Sequence, residues 1–233
     1  MDREAITICE AFAHAGYPLD AEAMLIIEVE GSDAECDAML ARIETIARDF
    51  RPTSVRVSRS EAESAAIWKG RKSAFGAIAR IKPNYYLHDT VVPRRRLPEV
   101  LAKVYEIADR HDLLVLNVFH AGDGNLHPLI LYDANREGEL ERTEAFGAEI
   151  LKLSIEVGGT ITGEHGVGVE KIDSMCVQFR TPELALFHAV KAAFDEHALL
   201  NPGKAVPTLH RCAEYGRMHV KSGQEKFADL PRF

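Results

Sequence analysis

Two short glycine-rich stretches carry side chains that can bind a metal ion and move protons. The first, HAGDGNLH, runs from His120 to His127, and the second, GEHG, occupies residues 163–166. Glycine, aspartate and asparagine favour sharp turns, so we expect both stretches to form loops whose side chains converge. Together they supply two imidazoles and a carboxylate, the donor types of an open metal site, and one further histidine.

The predicted metal ligands are His120, His127 and Glu164. In a hairpin, His120 would end one strand and His127 would begin the next, which brings the two imidazoles together on either side of the turn. Glu164 adds the negative charge that a divalent cation prefers. Three protein ligands leave positions open for substrate, as in catalytic sites. This donor set suits zinc (Zn), manganese (Mn) and iron (Fe) alike.

His165 is the predicted proton-transfer group, because the pKa of an imidazole can be tuned across neutrality. It follows Glu164 directly and is expected to point in a different direction. Asp123 is expected to orient one ligand imidazole by a hydrogen bond. A single His-x6-His pair would favour an ordinary surface turn, whereas the two motifs together favour a metal site.

Regular apolar patterns predict the elements that must position these loops. Alternating or continuous apolar runs predict strands at 25–29, 55–57, 85–92, 113–120 and 126–132. Apolar stripes at helical spacing predict helices over 33–50, 61–79, 97–111, 146–157 and 186–194. The turn between 113–120 and 126–132 is too short for a parallel crossover, so these two strands form an antiparallel hairpin.

These elements predict an α+β fold, with an antiparallel sheet that carries helices on one face. The β-α-β order recurs around 25–57 and 86–120, which indicates a duplicated ferredoxin-like unit. A domain over 1–200 is followed by a C-terminal segment, 201–233, that begins at Asn-Pro-Gly.

Composition excludes several classes of partner. The formal charge of −8 and the pI near 5.7 argue against nucleic acid, whose phosphates need clustered lysine and arginine. No apolar run approaches the length of a transmembrane segment, and the first four residues do not open a signal peptide. Four scattered cysteines without a CxxC pair suit a cytoplasmic protein.

The motifs HAGDGNLHP (120–128), GGTITGEHGVG (158–168) and NPGK (201–204) resemble the C-terminal part of FAD-linked 2-hydroxy acid oxidoreductases. The stretches WKGRK (68–72) and TLHRCAE (208–214) increase the resemblance to flavin subunits of glycolate oxidases, and it covers essentially the whole chain. It implies oxidation of glycolate to glyoxylate with hydride transfer to FAD. It also implies an N-terminal FAD-binding domain that these residues lack, so we expect little FAD binding by this chain alone.

The resemblance assigns roles to individual residues. It implies metal binding by His120, His127 and Glu164, and a place for His165 near the substrate hydroxyl. Arg71 matches an arginine that grips a substrate carboxylate, and Asn201 lies in a segment that returns to the flavin. The resemblance also implies partner subunits, one of them an iron–sulfur subunit, that pass electrons toward membrane quinone and hold the enzyme peripherally at the inner membrane.

Three departures from the family pattern bear on the substrate. Phe75 and Leu87 occupy places where relatives acting on 2-hydroxyglutarate carry a threonine and a lysine, and Leu129 replaces a substrate-facing asparagine. An apolar lining would leave a distal carboxylate unpaired, at a cost of several kcal/mol. We therefore expect a small 2-hydroxy monocarboxylate such as glycolate or D-lactate. A stand-alone metal hydrolase and a non-catalytic docking module remain the alternatives from other classes.

Overall fold

The computed structural model describes residues 1–207, so the motif at 208–214 and most of the predicted 201–233 segment lie outside the described residues. The helices are α1 (Arg3–Ala13), α2 (Asp33–Asp49), α3 (Glu61–Lys72), α4 (Ala74–Ile78), α5 (Leu97–His111), α6 (Glu139–Glu156), α7 (Ile172–Gln178) and α8 (Thr181–Phe194). The strands are β1 (Asn84–Leu87), β2 (Thr90–Val91), β3 (Leu114–Asn117), β4 (Asn125–Leu126) and β5 (Pro128–Tyr132). No helix within residues 1–207 has both the length and the apolar composition needed to cross a lipid bilayer.

The central sheet has three antiparallel strands in the order β1-β5-β3. In its register, Leu129 of β5 faces Leu87 of β1 on one side and Leu116 of β3 on the other. The predicted hairpin over 113–132 is confirmed, although its second half is divided into β4 and β5. The predicted α+β class with an antiparallel sheet is likewise confirmed.

Helices cover both faces of this sheet. Leu129 packs into a cluster that includes Ile6 of α1, whereas the next residue, Ile130, packs against Phe146 of α6. The prediction of helices on one face was therefore wrong. The physical reason is that β5 carries apolar side chains at successive positions, so that both of its faces must be removed from water.

The second ferredoxin-like unit predicted around 25–57 does not form within the described residues. The segments 25–29 and 55–57 are not strands, Leu25 is 69% exposed, and helix α2 between them buries no residue. An alternating pattern shows which side chains share a face, but a strand also requires a neighbouring backbone to pair its N–H and C=O groups. The apolar pattern does not show which segment would be that neighbour.

The short strand β2 links the two glycine-rich loops. On one side, Thr90 and Val91 pair with Leu126 and Asn125 of β4. On the other side, the Val91 N–H donates to the Thr160 carbonyl over 3.2 Å, and the Thr160 N–H donates back over 2.8 Å. The backbone of Thr90 and Val91 therefore holds both loops.

Candidate metal and substrate site

The three predicted metal ligands lie together in the structure. The Glu164 Oε1 atom is 2.9 Å from the His127 Nε2 atom and 3.9 Å from the His120 Nε2 atom. One donor atom from each of the three residues lies within 4.8 Å of the others. The His127 side chain is 8% exposed, whereas those of His120 and Glu164 are about half exposed, so the cluster opens toward solvent on one side.

Backbone hydrogen bonds close the turn between the two histidines. His120 donates to the Asn125 carbonyl over 3.0 Å, and Asn125 donates back over 3.2 Å. Asp123 donates its N–H to the His120 carbonyl over 3.1 Å. Within residues 1–207 no hydrogen bond joins the Asp123 carboxylate to a ligand imidazole. Asp123 therefore contributes to the turn through its backbone rather than in its predicted role.

Asp89 holds the second loop, and sequence reasoning missed it. Its fully buried carboxylate accepts hydrogen bonds at Oδ2 from the Thr162 hydroxyl (2.8 Å) and from three consecutive backbone N–H groups, those of Gly163, Glu164 and His165 (2.9, 3.0 and 2.9 Å). The sequence signal is weak: an acidic residue lies within a stretch that otherwise resembles a buried strand. Such a residue needs buried partners, but the sequence does not identify them.

Lys171 supplies the opposite charge beneath this loop. Its Nζ atom lies 3.7 Å from Asp89 Oδ2 and donates to the Asp89 carbonyl over 2.5 Å, and the side chain is only 4% exposed. Burial by itself raises the pKa of Asp89. The hydrogen bonds that its carboxylate accepts have the larger combined effect, and they hold the pKa well below its usual range; they come from His165, Thr162, Gly163 and Glu164. Asp89 is therefore an ionised, fully hydrogen-bonded anchor.

His165 lies close to the carboxylate of Glu164, as His120 and His127 do. Its Nε2 atom lies 3.8 Å from Glu164 Oε1, and its ring stacks on that of His127 with 5.4 Å between centroids and 13° between planes. The two side chains come this close because Asp89 accepts the backbone N–H groups of both residues at one oxygen atom. The expectation that they point in different directions stays a prediction. An exposed imidazole is thus available beside the cluster.

The donor set fits a divalent metal. Burial lowers the pKa of His127, although the charges of Glu164 and Asp89 oppose the shift, and the neutral imidazole is the form that binds metals. Donor atoms bound to one zinc ion at about 2.0–2.2 Å lie roughly 3–4 Å apart. The separations from Glu164 to the two histidines are in this range.

Arg71 lies within electrostatic reach of the cluster. It is part of α3 and is half buried. Burial is the main cause that lowers the pKa of its guanidinium, and the negative charge of Glu164 is among the groups that oppose the shift. A guanidinium within electrostatic reach of Glu164 is suited to a substrate carboxylate, but its predicted role stays a prediction.

A cavity of about 270 Å³ lies next to His165 and is lined by Leu87 and residues 165–171. Leu87 and His165 line the same cavity, and the predicted place of Leu87 at the substrate stays a prediction. Phe75 is partly exposed and packs against Tyr85, with 5.7 Å between ring centroids. Leu129, a residue of β5, is fully buried in the core cluster that includes Ile6. Its predicted replacement of a substrate-facing asparagine stays a prediction.

Asn201 is not brought to the cluster by any hydrogen bond within residues 1–207. It is exposed, has a left-handed backbone with φ of 46°, and accepts hydrogen bonds from Lys204. Its predicted flavin contact stays a prediction.

The family model and two similar relatives indicate the same family for this chain. The model of the family described as "FAD linked oxidases, C-terminal domain" matches residues 1–205. The chain is 53% identical over 233 residues to "Glycolate oxidase subunit GlcD" of Escherichia coli K12, which covers all of this chain and 47% of that protein. It is 38% identical over 204 residues to the protein of the same name in Bacillus subtilis, covering 88% of this chain and 43% of that protein.

A more distant relative carries a different name. The chain is 28% identical over 213 residues to "Probable D-lactate dehydrogenase, mitochondrial" of Danio rerio, which covers 88% of this chain and 41% of that protein. The chain thus spans less than half the length of each of these three relatives.

Proposed function

Because the chain belongs to the family of FAD linked oxidases, C-terminal domain, we propose that it forms the substrate-binding part of a flavin-dependent glycolate oxidase. The reaction would be oxidation of glycolate to glyoxylate. The similarity to two proteins named as glycolate oxidase subunits supports this proposal. The observation that carries it is the meeting of His120, His127 and Glu164 in one open cluster beside His165.

The residues of the cluster would divide the chemistry among them. His120, His127 and Glu164 would hold the divalent metal. When bound, the metal would polarise the substrate oxygens, and the FAD would accept the hydride. His165 would take the hydroxyl proton on its imidazole, which the half-exposed side chain can release to solvent. Arg71 would hold the substrate carboxylate with two parallel hydrogen bonds.

The cavity beside His165 supports a small substrate. Leu87 presents an apolar surface there, so that a second carboxylate would lose its hydration without gaining a partner. Glycolate has no substituent to place against this surface, and D-lactate has a methyl group. D-lactate dehydrogenase activity is therefore the second candidate, and the D-lactate dehydrogenase relative supports it.

We also propose that the protein works within a multi-subunit enzyme, in which another subunit carries iron–sulfur clusters. The word "subunit" in the names of the relatives supports an assembly. In this proposal the enzyme is cytoplasmic and reaches the inner membrane through its partner subunits.

The decisive experiment is anaerobic mixing of the complete flavoprotein with glycolate, D-lactate or D-2-hydroxyglutarate. We expect glycolate to bleach the visible absorbance of the flavin with the highest second-order rate constant of flavin reduction, D-lactate to be slower, and D-2-hydroxyglutarate to be slowest. A higher rate constant with D-2-hydroxyglutarate would contradict the proposed substrate class. Metal-dependent ester or amide hydrolysis without flavin reduction would instead support the hydrolase alternative.

A further inference from the structure

We propose that Asp89 is a positioning residue, whose buried carboxylate sets the direction in which Glu164 and His165 face. The proposal is based on the hydrogen bonds of the loop at 162–165. Its consequence for metal binding rests on the proposed function.

The loop is held by one oxygen atom. Asp89 Oδ2 accepts the N–H groups of Gly163, Glu164 and His165 within 2.9–3.0 Å, and the Thr162 hydroxyl at 2.8 Å. Three consecutive N–H groups that converge on one acceptor fix the backbone dihedrals between them. Those dihedrals determine the directions of the Cα–Cβ bonds at residues 164 and 165.

Asp89 is itself fixed relative to the histidine loop. The next residue, Thr90, pairs with Leu126 of β4, one position before His127. The Thr90 hydroxyl also donates to the Thr160 carbonyl over 2.5 Å, which ties the start of the second loop to the same strand. Asp89 therefore connects the carboxylate ligand to the histidine ligands through a short, hydrogen-bonded path.

The alternative role is an ion pair with Lys171 that serves stability alone. The distances favour the positioning role, because the four loop donors lie within 3.0 Å of Oδ2 whereas Lys171 Nζ lies 3.7 Å from it. The short hydrogen bond from Lys171 goes to the backbone carbonyl of Asp89. Lys171 thus neutralises the charge, while the carboxylate organises the loop.

The test compares Asp89→Asn with Glu139→Gln as a matched control. Glu139 is also a buried carboxylate, 4% exposed and 3.0 Å from Lys82, but it lies at the start of α6 and is not among the site residues. Both variants are expected to lower the Tm. Only Asp89→Asn is expected to affect the loop. A neutral amide oxygen in the place of Oδ2 accepts the four hydrogen bonds more weakly than a carboxylate oxygen, and the NH2 group in the place of Oδ1 would face the Glu164 N–H, which lies 3.3 Å from Oδ1.

Two measurements distinguish the roles. Hydrogen–deuterium exchange of the amides at 163–165 should accelerate about tenfold or more in Asp89→Asn and stay unchanged in Glu139→Gln. The affinity for Zn²⁺, measured by competition with a chelator, should fall roughly 10–100-fold in Asp89→Asn alone. If Asp89→Asn does not fold, Thr162→Val removes one of the four donors and should show the same two effects more weakly.

Unchanged exchange and unchanged Zn²⁺ affinity in a folded Asp89→Asn protein would overturn the proposal. A wild-type protein without Zn²⁺ affinity would contradict the proposed metal site, and the exchange rates at 163–165 would then decide the role of Asp89 by themselves.

Discussion

A Cβ atom at Gly163 would lie 2.6 Å from the side-chain oxygen of Asn125, closer than real Cβ contacts come. The loop that carries Glu164 and the loop that carries the histidines therefore touch at a position where only glycine fits. We expect Gly163→Ala to separate the loops and to weaken Zn²⁺ binding by about tenfold or more. Competition with a chelator measures this effect.

The double variant Gly163→Ala/Asn125→Ala is the control for steric conflict. Because the Asn125 side-chain oxygen is buried and has no hydrogen-bond partner in the part of the chain that the structure describes, its removal leaves no group there unpaired. The double variant should recover much of the affinity. No recovery would mean that Gly163 serves the site in another way than by close approach.

Metal content tests the ligand assignment directly. We expect about one divalent ion per wild-type chain, and loss of that ion in both His120→Ala and Glu164→Ala, since two remaining donors make a weak site. Elemental analysis measures the content. His111→Ala, which removes a histidine that contacts Glu149 instead, should retain the metal. Full occupancy in Glu164→Ala would exclude Glu164 as a ligand.

His165 is expected to act on the proton and not to hold the metal. In the complete flavoprotein, His165→Gln should lower kcat for glycolate by roughly 10²–10⁴-fold, because a general base is lost. The Zn²⁺ affinity should stay near the wild-type value, since His165 is not one of the three grouped donors. Steady-state kinetics and chelator competition on the same preparation check both parts. A variant with wild-type kcat would remove His165 from the mechanism.

Leu87 is expected to select against dicarboxylates. Leu87→Lys places a cation at the wall of the cavity beside His165, and should raise kcat/KM for D-2-hydroxyglutarate relative to glycolate by about tenfold, the effect of a partly solvated charge pair. Leu87→Met keeps the surface apolar and should preserve the wild-type order of substrates. If both variants had the same ratio of kcat/KM for D-2-hydroxyglutarate to kcat/KM for glycolate, Leu87 would not be the residue that determines this selectivity.

His88 predicts a pH dependence of stability that is separate from the metal cluster. It is buried, neither ring nitrogen has a hydrogen-bond partner among residues 1–207, and burial lowers its pKa from 6.5 to about 3. Between these values the unfolded chain binds a proton that the folded chain excludes, so the free energy of unfolding falls as the pH decreases. The slope is about 1.4 kcal/mol per pH unit.

Denaturant titrations of wild type and His88→Gln across this range measure the slope. The variant should show a shallower dependence by about one proton. Replacement of the exposed His14 by glutamine serves as the control. Parallel curves for wild type and His88→Gln would show that His88 does not titrate as stated.

The sequence could predict that His120, His127 and Glu164 lie together because the motifs that carry them are local. HAGDGNLH and GEHG place donor residues among turn formers, and the structure needs only to bring two such loops together. Asp89 could not be found in this way, because its partners are 73–76 residues away in the chain. The apolar run of β5 is compatible with burial on one face or on both, and the prediction chose one face wrongly. The strand predicted at 25–29 does not form, because a strand needs a pairing partner that the apolar pattern does not specify.

Strand β2 also determines when the site can exist during folding. Its neighbours, β4 and Thr160, are separated from it by about 35 and 70 residues, and contacts of this span require the closure of long loops. A growing polypeptide that has not yet reached Glu164 contains both histidines but lacks the third predicted ligand. We therefore expect the cluster to assemble after the helices and the β3–β5 hairpin, so that an intact cluster would report that residues 89–165 have folded.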